Sequence, residues 1–155
     1  MSRNINDCVL ELREAWAEAS TAFNDRNRAR YWVILTQTYR SNAEQRAFYA
    51  QGRLPLASVN RLRKVAAMAA IGQSENRMIV TRLKPGASKH NKSPSEAFDV
   101  AFMQNGNVLN WSPALFAEFA KDVKAANASI VWGGDWDSDG RSDDERFIDL
   151  PHFQT

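Results

Sequence analysis

The sequence predicts an α+β protein with a small antiparallel sheet flanked by helices. Helical and strand-like patterns are mixed without the regular alternation that produces parallel sheets, and the strand candidates are short. The 155 residues, of which 44% are hydrophobic, are enough for one sizeable core and few for two. We therefore expect a single domain that spans residues 1–155.

The charge balance and the cysteine count exclude several classes of protein. Twenty basic and 18 acidic side chains give a formal net charge of +2, so nucleic acid is not an expected partner. The small positive excess suits an anionic polymer such as a bacterial cell wall, but an excess of this size does not identify a partner. Cys8 is the only cysteine, which excludes an internal disulfide and leaves histidine and carboxylate as metal ligands.

The N-terminal stretch bears on where the chain is made. MSRNINDCVLELREAW has neither the apolar core nor the cleavage site of a secretory signal, and the sequence has no long uncharged apolar run. We expect synthesis in the cytoplasm, no stable membrane association and a monomer.

Helical spacing, strand composition and caps predict the elements of the first half. A first helix follows a cap at Asn6 or Asp7, and its apolar face is Val9, Leu12, Trp16, Ala19 and Phe23. YWVILTQT, residues 31–38, predicts a largely buried strand. Ser41 and Glu44 then predict a capping box for a helix that ends at Gly52. A further helix is expected from about Ser58 to Gly72, with an inward face of Val59, Leu62, Val65 and Ala69.

In the second half, the parity of AFDVAFM, residues 97–103, predicts the clearest strand. Phe98, Val100 and Phe102 point to one face, and Asp99 points to the other between two small residues. RMIVTR, residues 77–82, and SIVW, residues 129–132, are shorter strand candidates. A helix that precedes SIVW is expected to start at Ser112 and Pro113, end near Asn127 and bury Phe116, Phe119 and Val123.

The two histidines of the chain predict a metal site. His90, Asp99 and His152 come from separate segments, and catalytic zinc commonly takes three such protein ligands plus water. Asp149 would lie unligated beside the metal, where a carboxylate can take a proton from water and return it to a leaving amine. On spacing alone, a structural or surface role for the histidines is the alternative.

Several motifs in order resemble the zinc peptidoglycan peptidases of the D-alanyl-D-alanine carboxypeptidase and L-alanyl-D-glutamate endopeptidase family, which includes many phage endolysins. The resemblance covers most of the chain from about residue 31, through YRSNAEQRAFYAQGR, SKHNKSPSEAFDV, WGGDW and DLPHF. It implies a hedgehog/DD-peptidase-like fold, bound Zn²⁺ and hydrolysis of the stem peptide of bacterial peptidoglycan.

Carried over by position, the resemblance implies the zinc ligands His90, Asp99 and His152. It further implies that Asp149 is the general base, where the family often has glutamate, and that Arg40 stabilises the oxyanion. Gln45 and Ser88 also match motif positions, either as substrate contacts or through structural hydrogen bonds.

Within this family the expected activity is that of an L-alanyl-D-glutamate endopeptidase acting as a phage endolysin. A chain without a signal suits an enzyme that reaches the wall through a membrane lesion. The alternatives are a D,D-carboxypeptidase or dipeptidase on the same scaffold, and a non-catalytic zinc-bearing cell-wall-binding module.

The acidic run DWDSDGRSDDER, residues 135–146, opens like a calcium-binding loop. Its twelfth residue is Arg146 and Glu145 comes one place early, so an ordinary helical hand is not expected. The alternatives are a looser loop, in which Ca²⁺ would order the segment and regulate activity, and a solvated acidic loop. The candidate calcium residues are Asp135, Asp137, Asp139, Arg141 and Asp143.

Overall fold

A computed structural model describes residues 1–28, 30–105 and 108–155, and these form four α-helices and a five-stranded sheet. The helices are α1 (Leu10–Asn27), α2 (Asn42–Ala50), α3 (Leu56–Val65) and α4 (Pro113–Ala126). The strands are β1 (Tyr31–Gln37), β2 (Ala97–Gln104), β3 (Val108–Asn110), β4 (Val131–Trp132) and β5 (His152–Gln154). None of the described helices combines the length and the apolar character needed to cross a lipid bilayer.

The sheet is antiparallel, with the order β1-β2-β5-β4 and β3 beside β2. Asp99 of β2 pairs with Gln37 of β1 on one side and with His152 of β5 on the other. The central strand therefore places a carboxylate next to a histidine that is far away in the sequence.

The core lies between one face of the sheet and the pair α1 and α4. Phe98, Val100 and Phe102 are fully buried on that face, so the parity prediction for β2 is confirmed. Phe23 of α1 and Phe119 of α4 meet edge-to-face, with ring centroids 5.8 Å apart. Burying each such side chain contributes roughly 1.5–3 kcal/mol, and this packing fixes the strand that carries Asp99.

An exposed ion-pair cluster joins the same two helices. Arg26 of α1 lies 2.7 Å from Glu118 and 2.7 Å from Asp122 of α4. Asn27 donates a further hydrogen bond of 2.8 Å to Glu118. Burial disfavours the Glu118 carboxylate, but the bonds from Asn27 and Arg26 outweigh it and lower the pKa of Glu118.

Three predicted elements have the expected form. The capping box of Ser41 and Glu44 is present at α2, and Gly52 follows this helix with φ +77°. β1 and α4 occupy the predicted segments. However, β1 is only half-buried because it is an edge strand of the sheet. The predicted cap of α1 is also wrong, since Asn6 and Asp7 belong to a 3-10 turn and Val9 precedes the helix.

The helix predicted from Ser58 to Gly72 is shorter and begins earlier. α3 follows Pro55 and ends at Val65, whose side chain is 75% exposed. Asn60 exchanges hydrogen bonds of 2.9 and 3.1 Å with the backbone of Ile71, so the following segment folds back over the helix.

The strand predicted for residues 77–82 is absent from this described part of the chain. A Cβ on Gly52 would lie 2.9 Å from the backbone nitrogen of Ile79, so this segment packs closely against the end of α2. Met78, Ile79 and Val80 are exposed. The segment is a loop beside a groove, because no neighbouring strand pairs with it.

Candidate metal centre

Three elements bring His90, Asp99 and His152 together. Asp99 and His152 are cross-strand partners in β2 and β5. His90 lies in the 3-10 turn Lys89–Asn91, where its backbone nitrogen donates to the Ser88 hydroxyl over 3.3 Å. The backbone nitrogen of Arg40 donates to the carbonyl of His90 over 2.9 Å, which docks this turn against the end of β1.

The three side chains converge on one point. His90 Nε2 lies 3.2 Å from Asp99 Oδ1 and 3.2 Å from His152 Nδ1, and His152 Nδ1 lies 2.9 Å from Asp99 Oδ1. Ligand atoms held tetrahedrally by bonds of about 2.0–2.1 Å are about 3.3 Å apart. The spacing therefore fits a divalent ion of that size.

The hydrogen bonds of the outer ring nitrogens determine whether the inner nitrogens carry a proton or a free lone pair. His90 Nδ1 lies 2.6 Å from the carbonyl of Thr38, and His152 Nε2 lies 3.1 Å from Gln154 Oε1. Both oxygens only accept hydrogen bonds, so these outer nitrogens carry the protons of the neutral rings. The inner nitrogens and the Asp99 carboxylate then direct lone pairs at one another, an arrangement that a cation stabilises.

The site also shifts the ionisation of its members. Burial disfavours the Asp99 carboxylate, but hydrogen bonds and charge from His152 and His90 outweigh it and hold the pKa of Asp99 well below its usual range. Burial lowers the pKa of His152, whereas its contact with Asp99 raises it, and the net direction is upward. The ionised carboxylate is thus the stable form of Asp99.

Asp149 borders the same groove, which encloses about 840 Å³. Its backbone carbonyl accepts a hydrogen bond of 3.0 Å from the His152 nitrogen, and its own nitrogen donates to Gly133 over 2.7 Å. A Cβ on Gly133 would lie 2.3 Å from the Asp149 carbonyl, so only glycine allows this approach. Burial raises the pKa of Asp149.

Arg40 faces the metal centre from the end of β1. Its guanidinium lies 3.9 Å from Asp99 Oδ2, donates to Gln45 Oε1 over 2.8 Å and also donates to the Gln37 side chain. The guanidinium carbon lies 4.9 Å from the ring centroid of Phe48. Burial lowers the pKa of Arg40, while the carboxylates of Asp99, Glu44 and Asp149 oppose that shift.

Gln45 and Ser88, the other two motif residues, are buried. The Gln45 amide accepts from Arg40 and donates to the carbonyl of Leu83 over 2.7 Å. Ser88 caps the turn of His90. These are structural hydrogen bonds of the kind foreseen as the alternative to substrate contact.

Sequence reasoning missed two glutamines of the site, Gln37 and Gln154. Gln37 holds Arg40, and Gln154 accepts from His152. Gln37 is an amide at the end of an apolar strand, which is the signal that could have indicated it. Trp136 was also missed, and its ring centroid lies 5.7 Å from that of His152.

The acidic loop forms a second cluster with a different membership from the predicted one. Ligand atoms of Asp135, Asp137 and Glu145 lie within 4.8 Å of one another. Asp135 is 8% exposed, and its Oδ1 has no hydrogen-bond partner among the described residues. The cluster includes none of the other predicted calcium residues. Asp139 accepts a hydrogen bond of 2.8 Å from the backbone nitrogen of Arg141, and the Arg141 side chain pairs with Asp143.

Comparison with known proteins supports the fold. No family model matches the chain. The chain is similar to the crystal structure of the L-Ala D-Glu endopeptidase ChiX of Serratia marcescens, with 19% identity and a TM-score of 0.54 over 97% of this chain and 82% of that chain. At this identity the likeness concerns the fold alone. The chain therefore has the predicted α+β fold, and a neighbour with the DD-peptidase fold shares it.

Proposed function

We propose that the chain is a zinc-dependent peptidoglycan peptidase that hydrolyses the L-alanyl-D-glutamate bond of the stem peptide. The convergence of His90, Asp99 and His152 within 3.2 Å, in a groove shared with Asp149 and Arg40, carries this proposal. The choice of bond is supported by the fold likeness to a protein described as an L-Ala D-Glu endopeptidase.

The donor set suits zinc better than it suits Ca²⁺ or Mg²⁺. It offers two imidazole nitrogens and one carboxylate oxygen, whereas Ca²⁺ and Mg²⁺ prefer oxygen ligands. When bound, zinc polarises a scissile carbonyl and lowers the pKa of a coordinated water toward about 7. His90, Asp99 and His152 would hold it, and the outer hydrogen bonds to Thr38 and Gln154 would orient the two rings.

Asp149 acts as the proton carrier. Its carboxylate takes a proton from the attacking water and returns it to the leaving amine. Burial in the groove raises the pKa of Asp149, which makes the carboxylate a stronger base than an exposed aspartate. Its backbone bond to His152 holds it beside the metal ligands.

Arg40 stabilises the negative oxygen of the tetrahedral intermediate. Two of its nitrogens bond to neutral amides, and the nearest carboxylate oxygen is 3.9 Å away, so most of its charge is available. A preorganised cation in a partly dehydrated groove is effective because it needs no rearrangement during the reaction.

The biological setting is a proposal that rests on the motif resemblance. In it, residues 1–155 act as one catalytic domain and as a monomer, the partner is bacterial peptidoglycan, and the role is that of a phage endolysin. Ser88 would serve the site by capping the turn of His90.

We also propose that the acidic loop binds Ca²⁺ through Asp135, Asp137 and Glu145. The buried Asp135 Oδ1, which has no hydrogen-bond partner among the described residues, supports this, since a buried polar oxygen without a partner is costly. The backbone nitrogen of Trp136 donates to Glu145, and its ring packs near His152. A cation that fixes Glu145 would thereby order the wall of the groove and regulate activity.

End-group analysis of digested cell wall tests the proposed reaction. Purified sacculi are incubated with the protein, with the protein plus chelator, and with the chelated protein after zinc is restored. New N-terminal D-glutamate that depends on zinc is the expected result. Released D-alanine would instead indicate a D,D-carboxypeptidase or dipeptidase. Bound zinc without any new ends would indicate the wall-binding module.

A further inference from the structure

The near-neutral total charge hides a strong separation of charge along the chain. Residues 46–84, which we call the basic module, contain eight lysine or arginine residues and one acidic residue. The remaining residues contain 12 basic and 17 acidic ones. The module thus has a net charge of +7 in a protein whose total is +2.

The cations of the basic module are free to meet an external partner. All but the half-buried Arg63 are exposed, namely Arg46, Arg53, Arg61, Lys64, Arg77, Arg82 and Lys84. None of these seven side chains takes part in an ion pair with another described residue. Unpaired like charges repel one another, so ion pairing within the described part of the protein does not account for them.

Backbone and side-chain bonds make the module one body. α2 and α3 pack against each other, and the buried Asn76 donates to the carbonyl of Leu54 over 3.0 Å. Gln51 donates to the carbonyl of Glu75 over 2.9 Å. The segments that carry the cations are therefore held together.

The basic module reaches the catalytic groove. Ile79, Val80 and Arg82 line the groove together with the metal ligands His90, Asp99 and His152. The guanidinium of Arg82 lies 5.9 Å from the ring centroid of Phe147, which also lines the groove. A ligand in the groove can therefore contact Arg82 of the module and the metal centre at once.

We infer that the basic module is a docking surface for the carboxylate groups of peptidoglycan, which holds the enzyme on the wall while the groove engages one stem peptide. The inference rests on the proposed function and adds a second contact to it. Peptidoglycan is favoured over nucleic acid or a phosphate polymer because Arg82 belongs to both the module and the groove, so the polymer that supplies the proposed substrate can contact both.

A binding measurement with matched triple variants tests this docking surface. Arg61, Lys64 and Arg77 are replaced by glutamine in one protein and by glutamate in another. The control replaces Arg3, Arg30 and Lys121, which are exposed and lie outside the module, by glutamate. All variants carry Asp149→Asn to keep the wall intact, and they are sedimented with sacculi freed of phosphate polymers over a range of salt concentrations.

Each cation near an anionic surface strengthens binding roughly fivefold, so the glutamine triple should bind about 100-fold more weakly at low salt. The glutamate triple should bind still more weakly, whereas the control triple should lose much less affinity. Salt should weaken the unsubstituted protein steeply. Amidation of the wall carboxylates should abolish the difference between proteins. Thermal melting would show whether the glutamate triple is misfolded. In that case the glutamine triple still tests the docking surface.

Three outcomes would overturn the inference: equal loss in module and control triples, binding that survives amidation, or tighter binding to duplex DNA than to sacculi at the same salt. Binding needs no hydrolysis, so this result is separate from the proposed reaction. New D-glutamate ends without a module effect would refute the docking surface alone. A module effect without new ends would refute the reaction alone.

Discussion

His90 Nε2 and His152 Nδ1 lie 3.2 Å apart although 62 residues separate them in the chain. Each ring bonds to an acceptor through its other nitrogen, so two lone pairs face each other beside the Asp99 carboxylate. Without a cation or an extra proton this contact is repulsive. The relationship is the main reason to regard the cluster as a metal centre and not as a structural hydrogen-bond network.

Replacing the assigned base should separate chemistry from metal binding. Asp149→Asn is expected to lower kcat by roughly 10²–10⁴-fold, because the amide cannot accept the proton of the attacking water. Zinc content should stay unchanged, as measured by elemental analysis beside the kinetics on a soluble stem peptide. Asp25→Asn, on the exposed face of α1, is the control. Full activity in Asp149→Asn with zinc bound would assign the base elsewhere.

Gln45 should act as a positioning residue for Arg40. Gln45→Leu removes the hydrogen-bond partner of Arg40 Nη1 and that of the Leu83 carbonyl, which should cost about 1–3 kcal/mol of unfolding free energy. We expect kcat to fall at least about tenfold with a smaller change in KM, because Arg40 acts on the transition state.

Kinetics well below the melting temperature would distinguish positioning from mere loss of stability. Gln73→Leu, at an exposed position, is the matched control. If Gln45→Leu destabilises the protein but keeps the kcat of the unsubstituted enzyme, Gln45 supports only the fold.

Calcium binding should depend on Glu145 and not on Asp143. Glu145→Gln removes a member of the cluster with Asp135 and Asp137, whereas Asp143 pairs with Arg141 outside it. Calorimetry should show calcium uptake by the unsubstituted protein and by Asp143→Asn, and a large loss in Glu145→Gln. Uptake that is absent, or that fails in Asp143→Asn alone, would contradict the cluster.

The ion pairs between α1 and α4 should make stability depend on acid pH. The folded state lowers the pKa of Glu118 from 4.5, so its contribution is complete above that value and is lost as the pH falls through the lower one. Urea unfolding at several pH values should show a steeper acid loss for the unsubstituted protein than for Glu118→Gln. Glu18→Gln, exposed on α1, should follow the unsubstituted protein.

Local patterns predicted the parts of the fold that local physics determines. The capping box at Ser41, the proline start of α4 and the parity of β2 each depend on neighbouring residues, and each is present. The helix predicted for the segment after Val65 was wrong because Asn60 bonds to the backbone of Ile71, a tertiary contact that helical spacing cannot indicate. The half-buried state of β1 likewise depends on the strand order.

The candidate site likewise contains residues that the sequence indicated and residues that it did not. Residue types and the motif resemblance indicated His90, Asp99 and His152, and the structure brings them together. Gln37, Gln154 and Trp136 were not identified, because their part depends on where side chains point after folding. The motif also omitted Glu145 from the acidic cluster, since the loop does not follow the spacing of a helical hand.

The most direct test is the zinc content of the purified protein, measured by elemental analysis after dialysis. The expected result is one zinc per chain in the unsubstituted protein and a loss of that zinc in His90→Ala and in His152→Ala. Gln154→Leu, which removes only the outer partner of His152, should bind zinc about 10–100-fold more weakly. A protein that hydrolyses peptidoglycan without a bound transition metal, or that keeps its zinc when both histidines are replaced, would contradict the account.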